Sequence, residues 1–391
     1  MARSSPPGRP VAEPAASPNP PWAGLRVVLA HDWLTGMRGG EKVLAALCRL
    51  FPDADIVTLV HARGTVSPAI AGRRIRTSII QRLPGATRLY RHYLPLFPLA
   101  IELFDLDGAD VVISTSHCAA KAVLPTGRAV HLSYCHSPMR YAWDQFDAYF
   151  GPERVGGAAR AVLRPVLAGL ARWDRETAGR VHRFVANSRF VAGRIARYYN
   201  RTALVLNPPV NTAFFTPGDG ASDRYFLVVS ALVPYKRLEV ALDAAARAGV
   251  RLRVVGSGPD EARLRARAGP MVEFLGSLDD AALRDAYRGA TAVVLPGVED
   301  FGIVPVEAMA CGRPVIARAA GGAAETVVPG MTGLLVQDDT ADAFADAMDA
   351  LTRRPFDPVA IRAHAEAYGA ERFDAGFARI VGETLAEARA C

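Results

Sequence analysis

Residues 293–317 constrain the fold of this chain more than any other segment. They read VVLPGVEDFGIVPVEAMACGRPVIA, with apolar strand-like runs at both ends. Pro305 suits the first turn of a helix and Gly312 the position just past its end, so a short helix is predicted between two strands. Glu299 precedes this helix and Glu307 lies within it. Two carboxylates therefore flank a helix N-terminus at the sheet edge where open α/β folds bind ligands and phosphate is favoured.

Short apolar runs alternate with helix-length segments along most of the chain, a pattern typical of a parallel α/β sheet. A stretch rich in turn-forming residues, 207–224, divides the series and is the predicted linker. We therefore predict two doubly wound, Rossmann-like domains that face each other across a cleft. Strands are expected at residues 25–30, 56–60, 111–114, 130–134 and 184–186, then at 226–230, 252–255, 272–275, 292–295, 315–317 and 334–336.

The first 24 residues differ from the rest, because seven of them are proline and no apolar run occurs. This composition predicts a disordered tail rather than a signal peptide. No later stretch reaches the roughly 18 apolar residues that a spanning helix needs. Five scattered cysteines form no C-x-x-C pair, which disfavours a disulfide scaffold or a zinc site and favours a cytoplasmic protein.

The formal charge of +7 comes almost entirely from arginine, since only three of the 46 basic residues are lysine: Lys42, Lys121 and Lys236. Arginine is spread along the chain rather than gathered into a basic run, so no nucleic-acid partner is expected. Several arginines at 73–91 do precede an apolar stretch at 93–101. This arrangement favours peripheral contact with an anionic membrane, and a core helix with a solvated basic edge is the alternative.

Two glycines, Gly39 and Gly40, follow the first predicted strand at the start of a helix. Their N–H groups can approach a phosphate or sugar closely because glycine has no side chain. A plain tight turn explains the same pair equally well. His31, Asp32 and Lys42 lie beside them in the sequence and favour a ligand-binding loop.

Other predicted strands also end in groups that can bind a ligand. His136 follows the strand at 130–134, where an imidazole can hydrogen-bond a sugar hydroxyl, although a strand-end histidine is usually structural. Lys236 and Arg237 follow the strand at 226–230 and suit a diphosphate leaving group, with a solvated helix start as the alternative.

A last glycine pair, Gly321 and Gly322, follows the strand at 315–317, with Glu325 close behind. These glycines leave room for a ligand, and a tight turn would also require them. Taken together, at least five loops at the same kind of sheet edge carry Gly, Lys, His or Glu, and we expect them to converge on one cleft.

The spacing of Glu299 and Glu307 resembles the E-x7-E signature of retaining glycosyltransferases of family 4. The resemblance covers nearly everything after the tail and implies the GT-B fold. The N-terminal domain, 25–206, would hold the acceptor, and the C-terminal domain, 225–365, the nucleotide-sugar. Other landmarks follow in the order that the family has: Ala-Asn-Ser at 186–188, Asn-Pro-Pro-Val-Asn at 207–211, Lys236 and Gly-Gly-Ala-Ala-Glu at 321–325.

Three further stretches, 31–43, 116–121 and 134–144, are similar to a subgroup that contains bacterial O-antigen mannosyltransferases. This narrower resemblance implies mannose from GDP-mannose as the donor, and a glycan or polyprenyl-linked acceptor in polysaccharide assembly. The family implies no metal and no cofactor besides the donor substrate. It also implies that the terminal helix, 366–391, returns to the N-terminal domain.

The resemblance assigns catalytic roles to three residues: Lys236 on the diphosphate, Glu299 on the donor sugar and His136 on the sugar from the opposite wall. It assigns Glu307 to the ribose hydroxyls. The full donor-binding set is Gly39, Gly40, Arg237, Phe301, Gly302, Ile303, Glu307, Gly321, Gly322 and Glu325. The acceptor-side candidates are His31, Asp32, His117, Lys121 and Arg140.

One position departs from the family, because Ser230-Ala231 stands where members often carry Gly-Arg. Arg237 is the candidate to replace the missing arginine beside Lys236. With no obvious nucleophile, retention suggests front-face attack in which a donor phosphate oxygen takes the acceptor's proton.

Several alternatives stay open from the sequence. A glycoside hydrolase could use Glu299 and Glu307 as acid and nucleophile, but hydrolases need the two groups on opposite sides of the scissile bond. A UDP-sugar-dependent transferase and a GT-B sugar-nucleotide 2-epimerase would share the fold. A non-enzymatic sugar or nucleic-acid binding module is the least favoured.

Overall fold

The computed structural model describes residues 20–152, 155–219 and 223–390. Two parallel sheets form the centres of two domains, which confirms the predicted fold class. Both sheets are covered on each face by apolar clusters, as expected for parallel strands that are buried on both sides. The strands are β1 Val27–His31, β2 Asp55–Thr58, β3 Ile75–Thr77, β4 Val111–Ser116, β5 Val130–Cys135, β6 Arg183–Ala186 and β7 Ala203–Val205 in the first sheet, and β8 Tyr225–Val229, β9 Arg251–Val255, β10 Val272–Gly276, β11 Ala290–Leu295, β12 Val315–Arg318 and β13 Gly333–Val336 in the second.

The two sheets repeat one topology. The first has the order β3-β2-β1-β4-β5-β6-β7 and the second the order β10-β9-β8-β11-β12-β13. In each, the strand order reverses beside the first strand, so β1 and β4, and likewise β8 and β11, flank the switch point where ligands bind in such sheets. Strands β3 and β7 were not predicted from the sequence. Each has three residues, lies at a sheet edge and is only partly buried. Neither is long enough to show the alternation of apolar and polar residues that predicts a strand.

Helices flank both sheets. In the N-terminal domain they are α1 Gly39–Leu50, α2 Pro68–Ala71, α3 Ala86–Leu89, α4 Phe97–Glu102, α5 Arg140–Trp143, α6 Phe146–Phe150, α7 Gly157–Thr177 and α8 Arg189–Tyr199. The rest of the chain adds α9 Leu238–Ala248, α10 Glu261–Arg267, α11 Asp280–Gly289, α12 Ile303–Ala310, α13 Ala323–Thr326, α14 Ala341–Arg353, α15 Pro358–Glu366 and α16 Ala370–Ala390.

The last helix, α16, belongs to the core of the first domain. Phe373, Phe377, Ile380, Val381 and Leu385 pack among the apolar residues of β1, β4, β5 and α1. Burying such side chains stabilises a fold by about 1.5–3 kcal/mol each. The C-terminal end of the described chain is therefore an integral part of the N-terminal domain.

The two boundary segments differ in how much of them the structure describes. Trp22 packs on Phe51 with ring centroids 4.8 Å apart, so the predicted disorder of the tail is wrong for residues 20–24, whereas residues 1–19 lie outside the described part. The linker is built into the second domain, because Val210 and Phe215 are buried in its core. Residues 220–222 of the predicted linker and Cys391 also lie outside the described residues.

Candidate functional site

The helix α12 begins at the sheet edge that the sequence indicated. Gly302 takes a left-handed conformation at its start, with φ 87°, which favours glycine. Pro305 is the third residue of the helix rather than the first. The initial N–H groups of a helix have no intrahelical acceptor, so this end of α12 offers donors and a positive dipole end to an anionic ligand.

The glycine pair after β12 packs against the loop before α12. The amide of Gly322 donates to the Glu299 carbonyl at 2.8 Å. A Cβ atom at Gly321 would overlap that same carbonyl oxygen, and one at Gly322 would overlap the backbone of Phe301. These glycines are therefore required for contact between two backbones, whatever else they contact.

Lys236 and Glu299 form an ion pair within the second domain, and both side chains are largely buried. Gly297 makes their approach possible, because a Cβ there would lie 2.8 Å from the Cα of Lys236. The neighbouring Arg237 points elsewhere: its guanidinium contacts Asp339 at 2.7 Å and Glu239 at 3.1 Å. The structure therefore does not show Arg237 in the place of the arginine that is missing at Ala231.

Glu307 is held from both domains. Its Oε1 accepts from Nζ of Lys42 at 2.7 Å, across the cleft, and its Oε2 accepts from the Tyr287 hydroxyl at 3.0 Å. Partial burial opposes the charge on Lys42, but the Glu307 carboxylate outweighs this effect and raises the pKa of the lysine. Both lysines of the cleft are thus paired with the two carboxylates of the signature segment.

Direct contacts join the domains around this pair. Arg140 forms an ion pair with Asp300, and Ser188 donates to the Asp300 carbonyl at 2.5 Å. Glu325 accepts from the amides of Arg189 and Phe190, at 2.9 and 2.7 Å, at the start of α8. The Glu325 carboxylate, predicted to bind the donor, is therefore occupied by the opposite domain in this structure.

The start of α1 touches the start of α12. A Cβ at Gly39 would lie 3.1 Å from Cδ1 of Ile303, which is closer than side chains normally approach. The glycine therefore lets two helix N-termini meet across the cleft. Each of these helix starts has N–H groups without an intrahelical acceptor.

The N-terminal wall carries two imidazoles beneath Gly40, those of His31 and His136. His31 donates or accepts through Nδ1 with Thr115 at 2.6 Å, and its Nε2 lies 4.0 Å from Glu41. The Nε2 of His136 is buried without a hydrogen-bond partner among the described residues. Burial and the nearby histidines lower the pKa of His136 to about 3, so this imidazole is neutral at ordinary pH. His31 is fully buried, so it supports the wall rather than forming its surface.

Asp32 and His117 form a second pair on this wall. The Nδ1 of His117 lies 3.0 Å from Oδ2 of the fully buried Asp32. The His117 side chain retains 36% of its exposure and packs edge-on against Trp33, with ring centroids 4.5 Å apart. Its ring centroid is 6.4 Å from that of His136.

Lys121 does not reach the cleft, although the sequence placed it among the acceptor-side candidates. It is 1% exposed, and its Nζ contacts the Asp174 carboxylate at 3.0 Å and the Thr177 hydroxyl at 2.9 Å. Asp174 also accepts from Trp143 at 2.8 Å. Lys121 thus anchors α7 within the N-terminal domain.

Sequence reasoning missed three residues of the site: Tyr287, Asp300 and Ser188. Asp300 and Ser188 lie inside motifs that were recognised, so their position next to glycine-rich loops was an available signal. Tyr287 had none, because it lies on α11, 20 residues before Glu307. Among the described residues no cluster of His, Cys, Asp and Glu could hold a metal ion, and no helix there has the length and apolarity to cross a membrane.

Solved structures share this arrangement of two domains. The Anabaena protein HepE, in complex with UDP, is 18% identical with a TM-score of 0.67, covering 93% of this chain and 100% of that one. Sucrose-phosphate synthase from Thermosynechococcus elongatus is 19% identical with a TM-score of 0.65, covering 93% of this chain and 99% of that one. Together with the two facing sheets, these likenesses define a GT-B fold.

Sequence families identify the two halves separately. Residues 37–214 match the family described as Glycosyltransferase Family 4, and residues 211–371 match Glycosyl transferases group 1. Between them the two matches span residues 37–371, so both domains are those of a glycosyltransferase.

Curated relatives match the chain over a shorter length. A D-inositol 3-phosphate glycosyltransferase of Kribbella flavida is 34% identical over 202 residues, 43% of this chain and 47% of the relative. That of Geodermatophilus obscurus is 32% identical over 254 residues, 56% of each chain. The chain thus matches about half the length of these relatives. Their names differ from the O-antigen mannosyltransferases that the sequence suggested.

Proposed function

We propose that this protein is a retaining, metal-independent hexosyltransferase that moves mannose from GDP-mannose to a glycan or polyprenyl-linked acceptor in cell-surface polysaccharide assembly. The observation that carries the proposal is the pairing of both signature carboxylates with lysines at the start of α12: Glu299 with Lys236, and Glu307 with Lys42. A donor would bring hydroxyls for the carboxylates and a diphosphate for the lysines.

The chemistry of transfer needs a stabilised leaving group above all. The diphosphate departs with the electron pair of its bond to the sugar, and preorganised cations and N–H groups stabilise that charge without a metal. Lys236 and the start of α12 supply them from one domain, and Lys42 with the start of α1 from the other. The contact between Gly39 and Ile303 brings these two sets of donors together.

A UDP-hexose is the second candidate donor. Structures of HepE were determined with UDP and with UDP-glucose, which favours this alternative within the same fold. Isothermal titration calorimetry of the purified protein with GDP-mannose, GDP-glucose, UDP-glucose and UDP-N-acetylglucosamine decides between the two. Preferential binding of a UDP-sugar would overturn the mannose proposal, and binding of none would overturn transfer from a nucleotide-sugar.

The residues between β3 and β4 suit peripheral contact with an anionic membrane. Five of the exposed large apolar side chains lie in this segment: Ile79, Leu89, Leu96, Leu99 and Leu103. Arg82, Arg88 and Arg91 are exposed among them. An apolar surface with neighbouring arginines binds anionic lipid through both burial and charge. A membrane-bound acceptor would be delivered at this side of the N-terminal domain.

Vesicle sedimentation tests this contact. Replacing Leu99 and Leu103, which are 54% and 60% exposed, with serine is expected to release the protein from phosphatidylglycerol vesicles. Val359→Ser is the matched control, since Val359 is 75% exposed on the other domain. Equal binding to phosphatidylcholine vesicles, or no loss in the double variant, would contradict the proposal.

A further inference from the structure

Arg140 is a cation of the N-terminal domain that lies beside the start of α12 in the other domain. Its Nη2 forms an ion pair with Asp300, the residue that follows Glu299. The side chains of Arg140 and Asp300 retain 20% and 10% of their exposure. Arg140 is the first residue of α5, so a short turn after β5 carries the guanidinium to the opposite wall of the cleft.

The guanidinium of Arg140 and the ammonium of Lys236 contact the same aromatic ring, that of Tyr235. The Cζ atom of Arg140 lies 5.5 Å from the ring centroid, and Nζ of Lys236 lies 5.3 Å from it. Tyr149 of α6 stacks on this ring, with the two centroids 5.5 Å apart. The electron-rich face of a tyrosine attracts positive charge, so two cations from two domains lie around one ring.

The Arg140 guanidinium can bind a second anion without leaving Asp300. It has five N–H donors in a planar fork, and its hydrogen bond within the described residues goes to Asp300. Burial opposes the charge on Arg140, but the Asp300 carboxylate outweighs this effect and raises the pKa of the arginine. A guanidinium also suits phosphate oxygens, because it can donate two parallel N–H bonds to them.

On the C-terminal wall, Lys236 has no arginine of its own domain beside it. Arg237 is paired with Glu239 and Asp339, and Ala231 carries no charge. A departing diphosphate has more than one negative charge, so a second cation next to Lys236 would lower the barrier further. Arg140 is the cation that shares the Tyr235 ring with Lys236.

We propose that Arg140 is the second cation of the diphosphate site, supplied by the N-terminal domain in place of the arginine missing at Ala231. This inference rests on the proposed hexosyl transfer. The bond from C1 of the hexose to the diphosphate oxygen breaks, its electron pair leaves with the diphosphate, and Arg140 and Lys236 stabilise that charge. The acceptor oxygen forms the new bond to C1 on the same face, and its proton passes to a donor phosphate oxygen. The leaving-group site is therefore complete only when the two domains meet.

Calorimetric titration of the purified full chain with GDP and with UDP measures what Arg140 contributes. Arg140→Gln removes the charge but keeps a hydrogen-bonding side chain, and it is expected to weaken binding of the preferred nucleotide by about 10- to 100-fold. Arg197→Gln is the matched control, since Arg197 is an exposed arginine on α8 of the same domain, and it should bind as wild type. Wild-type affinity in Arg140→Gln would overturn the proposal.

Asp300→Asn distinguishes a diphosphate ligand from a contact that only joins the domains. This variant breaks the same ion pair but leaves the guanidinium charged, so nucleotide binding is expected to tighten by about 2- to 5-fold. A loss of affinity as large as that in Arg140→Gln would assign the pair to domain contact and overturn the proposal.

Ala231→Arg tests whether one arginine can replace the other. Ala231 is exposed, so a longer side chain can be accommodated there. In the Arg140→Gln background, Ala231→Arg is expected to recover most of the lost affinity for the nucleotide. No recovery would contradict a shared function of the two positions.

Inorganic pyrophosphate separates this inference from the proposed transfer, because it is a diphosphate without nucleoside or sugar. Pyrophosphate binding that is lost in Arg140→Gln, with no binding of GDP-mannose or UDP-glucose to wild type, would remove the proposed function and leave the cation site. Nucleotide-sugar binding and hydrolysis that are unchanged in Arg140→Gln would remove the inference and leave the proposed function.

Discussion

The two walls of the cleft have the same strand order but different chemistry. The C-terminal wall presents Glu299, Glu307 and a single lysine, Lys236, around a helix start, and its glycines allow close contact between two backbones. The N-terminal wall presents the imidazoles of His31, His117 and His136, and Lys42 reaches Glu307 from the same domain. One topology therefore supplies two carboxylates with a lysine on one side, and imidazoles with a lysine on the other.

Residues that look alike in the sequence therefore have different surroundings and different functions in the two domains. Lys236 and Lys121 are both rare lysines at sheet edges, yet one faces a signature carboxylate and the other lies in the core. Their substitution should separate chemistry from folding most clearly.

Lys121→Ala is expected to cost about 3–5 kcal/mol of stability, because it leaves the buried Asp174 without its cation. Urea unfolding followed by circular dichroism measures the loss. Arg379→Ala removes an exposed ion pair with Glu383 and should cost at most about 1 kcal/mol. If Lys121→Ala unfolds like wild type, Lys121 does not anchor α7.

Lys236→Ala is expected to raise the barrier to transfer or hydrolysis by about 2–4 kcal/mol, a 30- to 1,000-fold loss of kcat. The physical reason is the lost stabilisation of the diphosphate. Arg237→Ala, at the next position, should change kcat little because its guanidinium contacts Glu239 and Asp339. Wild-type turnover in the lysine variant would remove Lys236 from the site.

Glu307→Gln is expected to weaken nucleotide-sugar binding by about 1.5–3 kcal/mol, since hydrogen bonds to a charged group contribute about that much. Calorimetric titration with GDP-mannose and UDP-glucose gives the change in Kd. Tyr287→Phe removes only a supporting hydrogen bond at 3.0 Å and should weaken binding by about 1 kcal/mol. A larger loss of binding in Tyr287→Phe than in Glu307→Gln would contradict the assignment of Glu307 as the direct donor contact.

Acid should destabilise the N-terminal wall through His131. Burial lowers the pKa of this histidine from 6.5 to about 3, so the unfolded chain binds a proton in a range where the folded protein does not. Stability is therefore present above pH 6.5 and lost as the pH falls toward 3. Between pH 7 and 5 this single group accounts for about 2 kcal/mol.

Urea titrations at both pH values test the linkage. His131→Asn should lose about 2 kcal/mol less stability than wild type over this interval, even if it is less stable at pH 7. His364→Asn, on the C-terminal domain, is the control, and the same slope in wild type and His131→Asn would contradict the linkage.

Sequence reasoning succeeded where local residues determine the backbone. Pro305 and Gly312 mark the ends of α12, and buried apolar runs mark most strands, so two facing sheets could be predicted without coordinates. It failed where a side chain is defined by distant partners. The four amides on Asp32 come from residues 85–88 positions away, and the core position of Lys121 depends on Asp174, 53 residues further on.

The glycine pairs illustrate the same limit. The sequence predicted that these glycines lie at sheet edges, but it did not predict which groups they contact. Gly39 brings two helix starts together and Gly321 admits a neighbouring carbonyl, and neither distance can be inferred from spacing along the chain.

The position of α16 has a consequence for synthesis on the ribosome. Its apolar side chains complete the core of β1, β4, β5 and α1, yet Ala370–Ala390 leaves the exit tunnel only after β13 of the second domain. The first domain to be translated therefore cannot close its core until the second domain has also emerged. The second domain, whose strands and core helices are contiguous in sequence, is free to finish first, so the order of folding should be the reverse of the order of translation.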